Sequence, residues 1–255
     1  MLFDTHAHFN DSQFDSDRKE SIDRAKKAGV EYIISASFDV ASSVESVSLS
    51  QEYDFIYASV GVHPNGTIDM NNNVISALTD FATYSKVVAI GEIGLDYHYE
   101  NTPREVQKLW FKKQIEVAKS MKLPVIIHDR DSHEDIMSIV KEENVKSIGG
   151  VLHCFSGSIE MAREAMNNNL LISIGGAVTF KNAKRLLEVA KYVPDDMLLI
   201  ETDCPYMTPE PHRGHRNESA YIGLVAKKIA ELRARPTEYI EQITTSNAKR
   251  LFRIE

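Results

Sequence analysis

His6 and His8 stand one residue apart, just after the apolar run Met1-Leu2-Phe3. In a β-strand, residues two positions apart share a face. This spacing therefore projects both imidazoles together from the end of a first strand, a posture suited to holding a metal ion. Groups of the same chemistry follow short apolar runs farther along: His63, Glu92, His128, His153, and the pair Glu201 and Asp203. A catalytic zinc takes about three protein ligands plus water. The set His6, His8, Glu92, His128, His153 and Asp203 exceeds that, so the sequence predicts two divalent ions bridged by Glu92 and a water. Imidazole and carboxylate without thiolate suit Zn, Mn, Co or Fe, and Mg less well. Paired ions of this kind lower the pKa of water and neutralise developing charge, which is the chemistry of hydrolysis. Within such a centre Asp203 is expected to accept or relay the water's proton, Glu92 to bridge beside the nucleophile, and Glu201 to order substrate or a nearby water.

These groups need strands to carry them. Short apolar runs alternate with amphipathic stretches along the chain, the pattern of β-α units. Strands are predicted at residues 1–5, 32–36, 56–60, 87–90, 125–127, 150–152, 170–174 and 198–200. A helix is predicted over 103–121, with a proline near its first turn and Val106, Leu109, Trp110, Ile115, Val117 and Ala118 on one face. Asp131 or Ser132 caps the next helix, Ser156 or Ser158 the one after, and a final pair covers 217–232 and 236–252. Eight strands with intervening helices predict an α/β chain folded as one (β/α)8 TIM barrel over residues 1–255. The alternative, an open doubly wound sheet, lacks a Gly-X-Gly-X-X-Gly after the first strand. A barrel places the candidate ligands at the C-terminal ends of its strands. Closure brings the first strand beside the last, so His6 and His8 meet Asp203, His128 meets His153, and Glu92 reaches between the two groups.

The net charge of -8 argues against a nonspecific cationic coat for nucleic acid, while a local basic loop or bound metal still attracts phosphate. Cys154 and Cys204 form no Cys-X-X-Cys pair, and the chain opens on a strand, not a charged and apolar leader. Both features read as a reduced, cytoplasmic protein. No apolar stretch approaches the roughly 18 residues of a membrane span, so no membrane association is expected. Nothing in the sequence calls for an obligate protein partner.

Substrate contacts are sought in the loops. Pro211-His212-Arg213-Gly214-His215-Arg216 follows the last strand, and Arg213 and Arg216 are expected to fork phosphate oxygens. The competing reading is a loop whose arginine pairs with a structural carboxylate such as Glu218. His63 is expected to hydrogen-bond a substrate phosphate, and Tyr97, with His98 and Tyr99, to stack on a terminal base. By strand alternation the two cysteines point away from the metals and serve as small apolar fillers.

Taken together, Asp4-Thr5-His6-Ala7-His8, Gly61-Val62-His63-Pro64, Gly91-Glu92-Ile93-Gly94-Leu95-Asp96-Tyr97, the run from Pro124 to His128, His153-Cys154-Phe155-Ser156-Gly157, Glu201-Thr202-Asp203 and Arg216-Asn217-Glu218 strongly resemble the TatD-type metal-dependent deoxyribonucleases. The resemblance runs through Thr244-Thr245-Ser246-Asn247 and Arg250-Leu251-Phe252, nearly the whole chain. It implies a TIM barrel with a divalent-metal centre on His6, His8, Glu92, His128, His153 and Asp203. The implied activity is cleavage of DNA, often as a 3′-to-5′ exonuclease. The family's Arg-Gly-Lys-Arg-Asn-Glu-Pro stretch departs here to His215 for the Lys and Ser219 for the Pro, which weakens one cationic contact. The same resemblance group includes a second activity, removal of D-amino acids from tRNA, so metal-dependent amide or ester hydrolysis is the alternative to phosphodiester cleavage.

Overall fold

Strands β1 (Leu2–Ala7), β2 (Val30–Ser35), β3 (Ile56–Val60), β4 (Val87–Asp96), β5 (Val125–Arg130), β6 (Gly150–Leu152), β7 (Leu170–Ile174) and β8 (Leu198–Ile200) form one parallel sheet in chain order. The computed structural model describes residues 1–99 and 101–255. Helices α1 (Arg18–Lys27), α2 (Val40–Glu52), α3 (Asn72–Phe81), α4 (Arg104–Met121), α5 (His133–Glu142), α6 (Ile159–Asn167) and α7 (Lys184–Tyr192) alternate with the strands, and α8 (Ile222–Arg233) and α9 (Thr237–Phe252) follow β8. This is the expected TIM barrel. Among the described residues, no helix is long and apolar enough to cross a membrane.

The interior is layered. Phe3, Ile34, Val88, Ile126, Val151, Leu171 and Leu199, with the half-buried Tyr57, contribute from every strand to a single apolar cluster, which Ala248 and Phe252 of α9 join. Residues from all strands of a closed sheet touch one another only at its centre, so this cluster is the plug at the barrel's N-terminal end. Two residues farther along each strand the same face carries His128, His153 and Glu201, and four residues beyond Val88 it carries Glu92. Strand periodicity thus stacks a polar layer directly on the apolar one.

β4 and β5 run past their expected ends, to Asp96 and Arg130, and after a register shift between Ile90 and Ile93 they pair again: Gly94 opposes His128 and Asp96 opposes Arg130. Glu92 and His128 therefore lie within strands, not at their tips. Gly94 permits this pairing. Its φ is +146°, and a Cβ there would sit 2.0 Å from the carbonyl oxygen of His128. On α4 the buried face is Gln107, Phe111, Gln114, Ile115 and Ala118, while Leu109 is exposed. The glutamines act as clips. Gln107 accepts the amide of Asp96 at 2.8 Å, and Gln114 accepts the amide of Val62 at 2.7 Å and donates to its carbonyl at 3.1 Å. Both strand ends that lead into the site are thereby fixed to one helix.

The barrel closes between β1 and the segment just past β8. The amide of Asp203 donates to the His6 carbonyl at 2.9 Å, and that of His8 to the Cys204 carbonyl at 2.7 Å. Asp4 holds the same seam with its side chain. Its Oδ1 accepts the Thr202 amide at 2.9 Å, and its Oδ2 accepts the hydroxyls of Thr202 at 2.6 Å and Ser219 at 2.5 Å. Burial pushes this carboxyl up to about 6 despite those donors. Desolvating a carboxylate costs several kcal/mol, so only a full set of donors makes it tolerable there. Asp4→Ala leaves two buried hydroxyls and the amides of Thr202 and His6 without their acceptor. It is expected to cost about 3 kcal/mol in urea unfolding; a loss below about 1 kcal/mol would show that the seam closes without Asp4.

Candidate metal centre

Seven side chains converge on the polar layer. His8 donates through Nδ1 to the Ala36 carbonyl at 3.0 Å, which leaves the lone pair of Nε2 aimed at the barrel axis. That atom lies 3.1 Å from Nε2 of His6, 3.6 Å from Glu92 Oε2 and 3.4 Å from Asp203 Oδ1. His6 Nε2 is 3.5 Å from the same Glu92 oxygen and 3.7 Å from Asp203 Oδ1. The other oxygen, Glu92 Oε1, faces a separate group: His128 Nδ1 at 2.6 Å, His153 Nε2 at 2.7 Å and His63 Nε2 at 3.8 Å. The rings of His6 and His153 stack at 4.0 Å and join the halves.

The electrostatics call for cations. Against the upward push of burial, the imidazoles of His153 and His128 hold Glu92 well below the usual carboxylate range. Burial likewise pushes His153 down, but Glu92 and Glu201 carry it well above its ordinary value. Two imidazole nitrogens only 3.1 Å apart share at most one proton between them, and a second pair, His128 Nδ1 and His153 Nε2, sits at 3.2 Å. Lone pairs packed around a buried anion in this way fit divalent ions. Ligand atoms of His6, His8 and Asp203 lie within 4.8 Å of one another, as do those of His63, Glu92 and His128, and those of His6, His153 and Glu201.

Some expected substrate contacts lie elsewhere. Glu201 is wholly buried behind His153, where Oε1 accepts the Cys154 amide at 2.5 Å and lies 3.6 Å from His153 Nδ1. Its amide pairs with the Ile174 carbonyl, and the side chain packs beneath His153 without lining the cleft above. Arg216 is committed to Asp17 at 2.6 and 2.7 Å and to Glu218 at 3.1 Å, with its guanidinium over Phe14. Tyr97 donates to Asp135 at 2.6 Å and its ring lies under Arg104, so it packs on the scaffold. Arg213 is exposed and lies 3.8 Å over the Phe180 ring, at the cleft's rim. Cys204 is a buried filler, as expected. Cys154 instead lines the cleft, because its left-handed φ of 42° breaks the strand alternation.

Two participants escaped the sequence reading. Asp96 is buried, with Oδ2 3.4 Å from His128 Nε2, and orients that ring from behind. Its signal was hidden by the underestimated length of β4. Arg130 follows His128 by two residues on the same strand face, a signal that alternation alone could have exposed.

Above the cluster the cleft has two limbs. One, of about 760 Å³, runs past Phe155, Phe180, Lys184 and Arg185; the other, of about 600 Å³, past Phe38, Asn65, Tyr99 and Tyr206. His128, His153, Asp203 and Arg130 border both. A TIM barrel whose C-terminal face carries this cluster at the floor of an open cleft defines a metal-dependent hydrolase. Comparison with known proteins names the family: the model of the TatD related DNase family matches residues 3–253, and the chain belongs to that family. It is 52% identical over 254 residues to the uncharacterized metal-dependent hydrolase YabD of Bacillus subtilis, covering 100% of both chains. It is 32% identical to the 3′-5′ ssDNA/RNA exonuclease TatD of Pectobacterium parmentieri, over 99% of this chain and 100% of that one. The crystal structure of YJJV, a TatD homologue from Escherichia coli, superposes with a TM-score of 0.94 at 31% identity, covering 100% of this chain and 98% of that one.

The pairing of Arg216 makes a prediction with a definite sign. Hydrogen bonds from Arg216 and Arg24 hold Asp17 below the usual carboxylate range. A depressed carboxyl contributes stability above its unfolded pKa of about 3.9, and that contribution is lost as pH falls through the folded value. Asp17→Asn, which removes the carboxyl that Arg216 and Arg24 hold, should therefore lower stability by about 1 kcal/mol at pH 7, with the difference from wild type shrinking below about pH 4. Thermal unfolding across pH tests this; a difference that stays constant down to pH 3 would remove the Asp17 pairing as its cause.

Proposed function

We propose that this metal-dependent hydrolase is a deoxyribonuclease that removes nucleotides from DNA ends in the 3′-to-5′ direction, using two divalent ions. The observation that carries the proposal is Glu92, whose two oxygens face two separate histidine groups at the floor of a two-limbed cleft. His6, His8 and Asp203 would hold one ion, His128 and His153 the other, and Glu92 would reach both. A divalent ion held there supplies Lewis acidity, lowering the pKa of water from about 15.7 towards about 7 and neutralising charge at a phosphoryl oxygen.

The protein's own groups do the rest. Against burial, the adjoining imidazoles of His8, His153 and His6 keep Asp203 below the usual range. It is therefore anionic at neutral pH and borders both limbs of the cleft. Asp203 takes the proton from the water that attacks phosphorus, and the strand's alcohol leaves as the P–O bond breaks. His63 is neutral: burial and the neighbouring His128 push its pKa down to about 3. Its Nδ1 accepts the Asn65 amide at 3.2 Å, so its proton lies on Nε2, the atom that faces Glu92. That N–H is a donor for a phosphate oxygen and not a metal ligand. The Pectobacterium relative, by its name a 3′-5′ exonuclease on single-stranded DNA and RNA, supports the choice of substrate.

Single-stranded DNA labelled at either end, offered to chelated enzyme and to enzyme reloaded with Mn, Zn, Co or Mg, tests the proposal. Reloaded enzyme should release nucleotides from the 3′ end, and chelated enzyme none. His128→Ala and Asp203→Asn should each lower kcat at least about 100-fold with the fold retained. His63→Gln should lower kcat/KM about tenfold, the loss of one donor. Absence of chelator-sensitive nucleotide release with every metal would overturn the nuclease assignment.

A further inference from the structure

We infer that the limb bordered by Phe38, Tyr206 and Arg130 is a nucleotide subsite, in which Arg130 holds a phosphate and the two aromatic rings receive the base attached to it. The inference rests on the phosphodiesterase reading above and adds which residues seat the substrate. Arg130 ends β5, two residues beyond His128 and on the same strand face, and it borders both limbs of the cleft. Its side chain makes no ion pair among the described residues and lies 5.1 Å over the Tyr99 ring. Two other arginines, by contrast, are spent: Arg216 on Asp17 and Glu218, and Arg24 on the same two carboxylates. A guanidinium without a carboxylate, beside a cluster that carries the hydrolytic chemistry, is a fork open to a phosphate.

The base side is equally built. The rings of Phe38 and Tyr206 both stand edge-on to His8, with centroids 5.9 and 6.1 Å away. Tyr206 is held by its hydroxyl, which donates to Asp11 at 2.7 Å, yet half of the residue is open to the cleft. Partly exposed rings standing edge-on to the same histidine provide stacking faces that accept any base. The limb's volume of about 600 Å³ is ample for one nucleotide. In the other limb, Lys184 and Arg185 offer positive charge to phosphates farther along the strand.

Calorimetric titration of the metal-loaded enzyme with thymidine 5′-monophosphate, thymidine and inorganic phosphate tests this, beside the cleavage assay. The monophosphate should bind at least tenfold tighter than either fragment. Arg130→Ala should remove most of the preference for monophosphate over thymidine, Arg130→Lys should restore part of it, and Phe38→Ala should remove the preference for monophosphate over phosphate. In cleavage, Arg130→Ala should raise KM at least tenfold, with a weaker dependence on salt and unchanged metal content. Wild-type cleavage of DNA with a monophosphate preference that survives Arg130→Ala would overturn the subsite alone. A wild type that cleaves no DNA but shows the Arg130-dependent preference would overturn the nuclease reading and leave the subsite standing.

Discussion

The barrel is organised around one buried anion. Glu92 is 3% exposed, and its two carboxylate oxygens lie within 4 Å of five imidazole nitrogens. An ionised carboxylate taken out of water costs several kcal/mol unless positive charge or strong donors meet it. Here the compensation comes from strands on opposite sides of the barrel: β1 supplies it on one oxygen, and β5 with the segment after β6 on the other. The carboxylate therefore ties the two halves of the site together in the same geometry that suits it to a cation on each side.

Much of the scaffold exists to hold that geometry. Asp4 sews β1 to the segment carrying Asp203, so that the two ligand sources from the ends of the sheet stay in register. Gly94 lets β4 and β5 pair beyond Glu92, which places Asp96 behind His128. The glutamines of α4 fix the loop of His63 and the end of β4 from outside the barrel. Each device spends a polar contact in a buried place, and each leads back within a few residues to a group facing Glu92.

Charge is distributed by the same economy. The chain is acidic overall, yet the arginines around the cleft divide into those consumed by carboxylates and those left open. Arg216 and Arg24 share Asp17 and Glu218 and serve the stability of the loop after β8. Among the described residues, Arg130 and Arg213 rest only on aromatic rings. An arginine on an aromatic face keeps its edge donors, whereas one forked by two acids does not.

The amino-acid sequence by itself determined the class of fold and which histidines and carboxylates converge. Apolar runs recurring between amphipathic stretches specify a β/α barrel, and His6, His8, Glu92, His128, His153 and Asp203 each follow such a run, because alternation along a strand is a local property. What the sequence could not settle was where strands stop and which charges find one another. β4 reads as four residues and extends to ten, since its continuation depends on Gly94 lying against His128 from another strand. The role of Asp96 was hidden for that reason. Arg216 and Glu201 carry the right chemistry for substrate, but the carboxylates of Asp17 and the ring of His153 reach them first, from positions far away in the chain. Ion pairs and hydrogen bonds between distant residues depend on three-dimensional distance, and only the tertiary structure decided which side chains were left free for a ligand.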